Sequence, residues 1–260
     1  MVIAVRGSAS KLDHVVNANA RVGTAALGQS TSKLTAHSGF LNCAEALYSV
    51  ASQQIHRHAA TRATDTVELR HVIFTGHSAG GAVASLLYVL CSSSGEHSNN
   101  VQFSCITFGT PPSVASIPAS ISGPTGTDDG TVCLNIINEF DFVTRADPPY
   151  LLCTANLLRS MYGLPSLHDN LPGGKETVSS DTDSSTPLTT WPTPPQLYHH
   201  VGDLVILLSR LEGTSIKLRA ITLPPSHLEK LLFCRLTVHR RQYYAERIAL
   251  LEHGSFNSPP

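Results

Sequence analysis

Four near-continuous apolar runs mark the N-terminal part of the chain. They lie at residues 2–5, 71–75, 101–107 and 132–138. Between the first two runs, apolar residues from Leu41 to Ile55 recur at the three- and four-residue spacing that places side chains on one face of a helix. Short apolar runs separated by helices or long crossovers are typical of a parallel sheet that is covered on both faces. The pattern therefore predicts an α/β fold with a mostly parallel central sheet flanked by helices.

The remaining pattern completes one domain over residues 1–260. Apolar runs at 203–208 and 216–221 are joined by Glu212-Gly213-Thr214, which predicts a β-hairpin. A short helix is predicted after Pro224-Pro225, and a final helix over Arg240–Leu251. Residues 170–195 are rich in Gly, Ser, Thr, Asp and Pro, a composition that predicts a disordered surface insertion.

A serine lies between two glycines where a strand meets a helix. The sequence Gly76-His77-Ser78-Ala79-Gly80 follows the apolar run 72–75 and precedes an Ala/Leu/Val-rich stretch at 81–90. This arrangement is typical of a nucleophile elbow, in which a strained turn lifts the serine hydroxyl above the sheet edge. Gly76 and Gly80 make the turn possible, because side chains there would collide where strand and helix pack closely. Ser78 is therefore the candidate nucleophile.

The composition argues against several other classes of function. The chain has 18 Lys and Arg against 19 Asp and Glu, and charged residues make up only 14 % of its 260 residues. Because it has no basic cluster, aromatic stacking ladder or Gly-x-x-x-x-Gly-Lys loop, we do not expect nucleic-acid or nucleotide binding. No apolar run reaches the length of a transmembrane segment.

We expect no metal and no other cofactor. The six cysteines are scattered without paired spacing, and His56-x-His58 and His199-His200 lack a matching partner pair. The N-terminal residues Met1–Arg6 lack the charged lead, long apolar stretch and cleavage site of a secretory signal. This favours a cytoplasmic location or an incomplete gene model.

A nucleophilic serine needs a histidine to accept its proton and a carboxylate to orient that histidine. In elbow enzymes the acid and then the histidine follow the serine along the chain. Asp141 is the preferred acid because it lies where the chain turns after the run 132–138, whereas its rival Glu139 lies closer to the strand. For the base, His200 precedes a predicted strand and His239 precedes the last helix. Position alone does not choose between these two histidines.

The same chemistry needs an oxyanion hole, usually two backbone N–H groups from the residue after the nucleophile and from an earlier loop. Ala79 supplies the first donor. Ser8, which follows the first apolar run and Gly7, is the candidate for the second, and its hydroxyl could add another.

Taken together, these segments resemble the class 3 lipases, the fungal-lipase-like family of α/β hydrolases. The resemblance spans most of the chain and rests on five ordered motifs, which are Val5-Arg6-Gly7-Ser8, His37-Ser38-Gly39-Phe40, the elbow, Thr107-Phe108-Gly109-Thr110-Pro111-Pro112, and the Asp141 segment with Arg145 and Pro148-Pro149. It implies an α/β-hydrolase fold with Ser78 as nucleophile, Asp141 as acid, and Ser8 and Ala79 as oxyanion donors.

The resemblance also bears on the base. Family members carry a Tyr-x-His or Tyr-x-Pro segment before a strand and the general base later, in a His-x-x-x-Tyr or similar pattern at the start of the last helix. Tyr198–Gly202 is similar to the first segment, which favours His239 over His200 as the base. The layout from Leu218 to Tyr244 is more similar to the diacylglycerol-lipase branch than to the secreted fungal triacylglycerol lipases.

Three features, which bear on the sheet, the acyl pocket and the lid, need separate comparison with the family pattern. The chain begins at the Val-x-Arg-Gly segment, whereas family members carry strands and helices ahead of it, so we expect either a sheet that lacks outer strands or a truncated gene model. Ala79 stands where Leu is common, which leaves the backbone donor intact and enlarges the acyl pocket. The stretch from Ala9 to Ala36 lies where the family keeps its lid, and its apolar residues could cover a cleft and swing aside at a lipid surface.

The sequence thus predicts a serine lipase or carboxylesterase that hydrolyses acyl esters of glycerides in lipid catabolism and that contacts a lipid surface transiently. The alternative is a lipase-like scaffold that no longer catalyses and acts as a binding or signalling module. Peptide or thioester cleavage by the same triad also stays open, because fold and triad do not fix the leaving group.

Overall fold

The apolar runs of the sequence form the strands of one six-stranded sheet. The computed structural model describes residues 1–8, 19–28, 32–60, 69–94, 101–116, 130–167, 195–212 and 215–252. Its strands are β1 (Val2–Val5), β2 (Val22–Ala26), β3 (Lys33–His37), β4 (His71–His77), β5 (Gln102–Phe108), β6 (Val114–Ser116), β7 (Cys133–Asn138), β8 (Asp203–Glu212) and β9 (Ser215–Leu223). Its α-helices are α1 (Ser38–Ala60), α2 (Ala79–Ser93), α3 (Pro148–Met161), α4 (Pro225–Leu228) and α5 (Arg241–Glu252).

The main sheet has the strand order β1-β4-β5-β7-β8-β9. The first five strands run parallel to their neighbours, and β9 is antiparallel to β8 in the hairpin that the sequence predicts. Parallel neighbours require crossover connections, and α1 and α2 lie in the crossovers from β1 to β4 and from β4 to β5. The predicted α/β architecture, a mostly parallel sheet flanked by helices, is confirmed.

Helix α2 lies at the centre of the larger apolar core. Twelve of its residues are buried, from Ala79 to Cys91. An α-helix that is apolar on every side is stable in water only when other elements surround it. Here α2 packs against β4, β5 and α1, and α1 contributes the buried side chains of Leu41, Ala44 and Ile55. Each large apolar side chain buried in this way contributes roughly 2 kcal/mol, so packing holds the helix that begins at the elbow.

The predicted lid segment, Ala9–Ala36, is partly a paired sheet. Strands β2 and β3 form an antiparallel pair, and β6 joins β3 to make a second, three-stranded sheet. Ala25, Leu27 and Leu34 are buried in the larger core. The lid interpretation is therefore wrong for Ala25 and Leu27, because both side chains are already packed in the core, whereas Val22 and Ala26 lie exposed on β2. Residues 9–18, including Val15 and Val16, lie outside the described residues.

The chain divides into two compact units, one of Met1–Ala146 with Tyr198–Pro260 and the other of Asp147–Leu197. The second unit contains α3, which the sequence analysis did not predict, because the mixed composition after Leu152 obscured its helical spacing. The predicted insertion at 170–195 lies outside the described residues except for its last position. A single domain over residues 1–260 stays a prediction. No α-helix in the described ranges is long and apolar enough to cross a bilayer.

The turn between β4 and α2 depends on two close backbone approaches. A Cβ atom on Gly76 would lie 2.5 Å from the backbone of Gly80, and one on Gly80 would lie 2.4 Å from the carbonyl oxygen of Val5. Both distances are too short for real atoms, and the atoms in question belong to the backbone and cannot rotate away. The crossing of α2 over β1 and β4 therefore requires glycine at both positions.

Gly80→Ala tests this close packing. In an ordinary helix, replacing glycine with alanine stabilises the protein by roughly 0.5–1 kcal/mol. Because the added methyl group would collide with β1, we expect a loss of roughly 2 kcal/mol or more in the free energy of unfolding, measured by urea denaturation. Gly130→Ala is the control, since Gly130 has a φ of +76° and a methyl group added there would meet nothing within 4 Å, so it should lose only about 1 kcal/mol. A stabilised Gly80→Ala protein would contradict the requirement for glycine at this crossing.

Candidate active site

Ser78 occupies a strained position at the carboxyl end of the sheet. It follows β4, caps the N-terminus of α2, and has a φ of 59° and a ψ of −135°. A positive φ is unusual for a residue with a side chain and costs free energy that the surrounding packing must offset. The Ser78 N–H donates to the carbonyl oxygen of Phe108 at 2.9 Å, and the Ser78 carbonyl accepts from the N–H of Gly81 at 2.9 Å. The turn is thus held from both sides.

His239 bridges Ser78 and Asp141. Its Nε2 atom lies 2.8 Å from the Ser78 Oγ atom, and its Nδ1 atom lies 2.9 Å and 3.1 Å from the two Asp141 carboxylate oxygens. An ionised carboxylate can only accept, so Nδ1 carries the proton and donates it to Asp141, which leaves Nε2 to accept from the serine hydroxyl. The three side chains therefore form one continuous series of hydrogen bonds.

The Asp141 carboxylate is completely buried and has further donors. The N–H of Val143 donates to Oδ1 at 2.9 Å, and the Tyr244 hydroxyl donates to Oδ2 at 2.6 Å. Burial raises the pKa of Tyr244 well above its usual range, and the nearby Asp141 charge raises it further. The phenol therefore keeps its proton and remains a donor to the carboxylate. A buried charge needs such donors, because it has lost its hydration shell.

The backbone on which His239 lies is also held at two successive carbonyl groups. His77 donates from Nε2 to the His239 carbonyl oxygen at 2.8 Å, and Asn138 donates from Nδ2 to the Val238 carbonyl oxygen at 2.9 Å. The His77 ring lies over the His239 ring, with 4.7 Å between centroids. Burial lowers the pKa of His77, and repulsion from His239 lowers it further. His77 therefore stays neutral more readily than an exposed histidine.

The loop after β1 lies against the elbow. A Cβ atom on Gly7 would lie 2.8 Å from the His77 carbonyl oxygen and 3.7 Å from the Ser78 Cβ atom. Ser8, the predicted second oxyanion donor, is the next residue and is partly buried. Ala79 is the first residue of α2, so its N–H has no acceptor within the helix. Both predicted donors thus belong to segments next to Ser78.

The structure also shows where the rival acid, Glu139, lies, and it brings two residues to the site that the sequence analysis did not single out, Tyr244 and Gly109. Glu139 pairs with Arg210 at 2.7 Å at the surface and does not contact His239. Tyr244 was not predicted as a site residue, since the His-x-x-x-Tyr pattern pointed to its neighbour Tyr243, which is 42 % exposed. Gly109 was also missed as a site residue. A Cβ atom there would lie 2.9 Å from the Tyr244 hydroxyl and 3.0 Å from an Asp141 carboxylate oxygen.

His200, the alternative base, lies in a different environment. Its Nε2 atom donates to the Thr144 carbonyl oxygen at 3.0 Å, and its buried Nδ1 atom has no hydrogen-bond partner among the described residues. Burial lowers the pKa of His200 to about 4. Protonating Nδ1 would leave a buried N–H without an acceptor, which agrees with that direction. The structure thus brings His239, and not His200, to Ser78.

His200 should make stability depend on pH. Its pKa falls from an ordinary 6.5 to about 4 on folding, so the unfolded chain binds a proton that the folded chain does not in this range. The free energy of unfolding is therefore highest above pH 6.5, the pKa of the unfolded chain. It should fall by roughly 2–3 kcal/mol as the pH is lowered towards about 4. His200→Gln keeps a donor for Thr144 but cannot titrate, so chemical denaturation should show a shallower acid loss. The exposed neighbour provides the control, His199→Gln, which should keep the wild-type slope. Equal slopes for all three proteins would contradict the assignment.

Solved structures similar to this chain include several lipases. The chain is 19 % identical to M37 lipase over 60 % of this chain and 48 % of that one, with a TM-score of 0.43. It is 22 % identical to the triacylglyceride lipase of Rhizomucor miehei over 56 % and 52 %, with a TM-score of 0.39. It is 21 % identical to the lipase of Rhizopus microsporus var. chinensis over 56 % of this chain and 48 % of that one, with a TM-score of 0.36. The chain thus spans about half the length of these lipases.

A search of curated proteins found no match to the chain. A sequence model of the family described as Lipase (class 3) matches residues 2–151, which include β1, the elbow and the Asp141 segment. This match covers more than half of the 260 residues. The chain therefore belongs to the class 3 lipase family.

Proposed function

We propose that the protein is a serine lipase or carboxylesterase in which Ser78 is the nucleophile, His239 the general base and Asp141 the acid that orients it. The observation that carries this proposal is the hydrogen-bond series from Ser78 Oγ through His239 to the buried Asp141 carboxylate. Membership of the class 3 lipases supports the same activity. Ser78, His239 and Asp141 come from three separate segments and meet with the spacing and donor order that acyl transfer needs.

The proposed reaction proceeds through an acyl-enzyme. Ser78 Oγ attacks the ester carbonyl carbon while His239 Nε2 takes the hydroxyl proton. The tetrahedral intermediate collapses, the C–O bond to the alcohol breaks, and His239 gives its proton to the leaving alkoxide oxygen. His239 then removes a proton from a water molecule that attacks the acyl-enzyme, and the second collapse returns the proton to Ser78 Oγ and releases the carboxylic acid. Asp141 stabilises the imidazolium in each half-reaction without itself taking the proton.

The negative charge on the intermediate needs preorganised donors. We assign this role to the backbone N–H of Ala79, at the positive end of α2, and to Ser8 in the loop that lies against the elbow. Loss of one such donor typically costs roughly 3 kcal/mol of transition-state stabilisation. Gly7 allows this loop to approach the elbow, because a methyl group there would contact the His77 carbonyl oxygen at 2.8 Å.

For the substrate we propose an acyl ester of a glyceride. Family membership supports a lipid ester, and Ala79, beside the nucleophile, leaves more room than the leucine expected there. Whether the preferred glyceride carries two or three acyl chains, and whether the chain belongs to the diacylglycerol-lipase branch, stay predictions. The triad itself does not select the leaving group.

Fluorophosphonate labelling followed by intact-mass detection tests the triad. The wild-type protein should gain one adduct, and Ser78→Ala should gain none because the reactive oxygen is gone. His239→Ala should label at least roughly 1,000-fold more slowly, since no group remains to take the serine proton. His200→Gln should label at the wild-type rate, because His200 bonds to Thr144.

Circular dichroism shows beforehand that each of these proteins is folded. A folded wild-type protein that does not label would reject the enzyme and favour the alternative, a lipase-like module that binds or signals. Slow labelling of His200→Gln combined with normal labelling of His239→Ala would reverse the assignment of the base.

Tyr244→Phe tests the donor to the acid. The change removes one hydroxyl group, which donates to Asp141 at 2.6 Å and accepts from the Asn138 N–H at 3.0 Å. We expect kcat on a soluble ester to fall about tenfold with little change in KM, because the carboxylate loses a charge-assisted hydrogen bond that orients His239. The matched control is Tyr243→Phe, on the exposed neighbour. Equal kcat values for the two variants would show that Tyr244 has no part in positioning the acid.

A further inference from the structure

The short helical turn that carries His239 has no anchor in the apolar core. None of its three residues, Thr237–His239, is buried. A turn without buried residues opens more easily than the sheet and helices that surround the core. Proton transfer requires His239 Nε2 to stay within hydrogen-bond distance of Ser78 Oγ, where it lies at 2.8 Å. The position of the base therefore depends on hydrogen bonds that reach this turn from other elements.

His77 links this turn to the elbow. It is the last residue of β4, it immediately precedes Ser78, and its Nε2–H donates to the His239 carbonyl oxygen at 2.8 Å. A carbonyl can only accept, so Nε2 carries the proton of the neutral His77 ring. The His77 backbone is itself closely packed, because a Cβ atom on Gly7 would lie 2.8 Å from the His77 carbonyl oxygen. His77 thus ties the base to backbone that has little room to move.

The His77 ring also packs between the base and the tyrosine that donates to Asp141. Its centroid lies 4.7 Å from that of His239, with 30° between the ring planes, and 5.5 Å from that of Tyr244 in an edge-to-face arrangement. Aromatic rings at these distances attract each other. In the proposed reaction the His239 ring takes up a positive charge, and the face of a neutral aromatic ring attracts a cation. The stacked ring therefore supports the charged base only while His77 itself is neutral.

The surroundings of His77 favour its neutral form. Burial lowers the pKa of His77 and repulsion from His239 lowers it further, whereas the bond to the His239 carbonyl and the Asp141 charge raise it, and repulsion from Arg241 lowers it again. The lowering effects are larger, so the pKa of His77 lies below the ordinary 6.5. Tyr244 faces the ring from α5 and stays uncharged, because burial raises its pKa. Protonation of both rings would place two positive charges against each other.

We propose that His77 is a positioning residue of the reaction: its Nε2–H holds the backbone of His239 beside Ser78, and its neutral ring lies against the imidazole that takes the serine proton. This inference rests on the proposed function, which makes His239 the base. The residue type fits both tasks. Lys and Arg could donate to the same carbonyl but would bring a charge to the base, Phe could stack but not donate, and Gln could donate but has no ring.

Two substitutions separate the donor from the ring. His77→Phe keeps a ring and loses the donor, so kcat on a soluble ester should fall about tenfold with little change in KM, the effect of one lost hydrogen bond. His77→Gln keeps a neutral donor at nearly the same place and loses the ring. It should restore kcat to within about threefold of the wild-type value, because only the ring contact is missing.

The matched control is His71→Phe. His71 lies at the other end of β4, about 20 Å from His77 along the strand. Its Nε2 atom lies 2.8 Å from Ser104 Oγ, so this variant also loses a hydrogen bond of a partly buried histidine on the same strand. We expect it to keep the wild-type kcat. Thermal melts show which variants are folded.

The pH profile of kcat/KM tests the requirement for a neutral ring. Titration of the base alone lowers kcat/KM by at most about tenfold per pH unit on the acid side. In the wild-type protein a proton on His77 adds to this loss, so the slope should steepen below pH 6.5, towards about 100-fold per unit. His77→Gln cannot titrate at this position and should keep the tenfold slope. Circular dichroism at each pH limits the comparison to folded protein.

Proton NMR separates this proposal from the proposed function. The proton between His239 Nδ1 and Asp141 gives a downfield resonance that needs no turnover. It should persist in the wild-type protein and in His77→Gln, and broaden in His77→Phe as the turn exchanges with water. A protein with this pattern that hydrolyses no ester retains the positioning of His239 and loses the enzyme. An active enzyme whose kcat is unchanged in His77→Phe retains the proposed function and loses the role of His77.

Several results would overturn the role of His77. They are equal kcat values for His77→Phe and His77→Gln, an equal fall of kcat in His71→Phe, and equal acid slopes for the wild-type protein and His77→Gln. A wild-type slope that never exceeds tenfold per pH unit overturns it even where a variant does not fold.

Discussion

The approach of two backbones at the β4–α2 turn is the constraint on which the rest of the site depends. Gly80 in α2 touches the end of β1, and Gly76 in β4 touches Gly80. The spacing between α2 and these two strands is therefore so small that it leaves no room for a methyl group at either glycine. This contact sets the position of Ser78 and forces its φ to 59°. The burial of α2 in the apolar core offsets the cost of that strain. The proposed nucleophile is therefore held by closely packed backbone and by a fully buried helix.

The backbone next to Asp141 is strained in the same way as the backbone at Ser78. Phe140, with a φ of 70°, directs the chain so that Asp141 faces inwards, and its carbonyl accepts from the Arg235 N–H at 2.9 Å. Ser78 and Phe140 are the two non-glycine residues with a positive φ among those that the structure describes. This strain falls at the proposed nucleophile, Ser78, and beside the proposed acid, Asp141. Strain at these places, offset by burial and backbone hydrogen bonds, keeps the two ends of the series in fixed positions, and His239 between them is held by its backbone contacts to His77 and Asn138.

Much of the site could be predicted because it is encoded locally. The elbow needs glycines at two nearby positions and a serine between them, and the parallel order of β1, β4, β5 and β7 brings their following loops to one edge of the sheet. The lid interpretation failed for Ala25 and Leu27 because small residues such as Ala25 and Ala36 show no clear strand pattern. Ala25 pairs with Leu34 in β3, and Ala36 pairs with Val114 in β6, about eighty residues away. Tyr244 escaped prediction because two adjacent tyrosines differ only in the direction that each faces.

The sequence by itself determined the α/β architecture, the elbow and the candidate nucleophile, since periodicity and close glycine spacing act over a few residues. It left two histidines open as the base from the residues alone. Only the tertiary structure decided that His239 reaches both Ser78 and Asp141 while His200 is bonded to Thr144. It also decided that Tyr244, and not Tyr243, reaches the Asp141 carboxylate. The reason is physical: a hydrogen bond depends on where two side chains are placed in space, and residues about 100 positions apart carry no local signal of that placement.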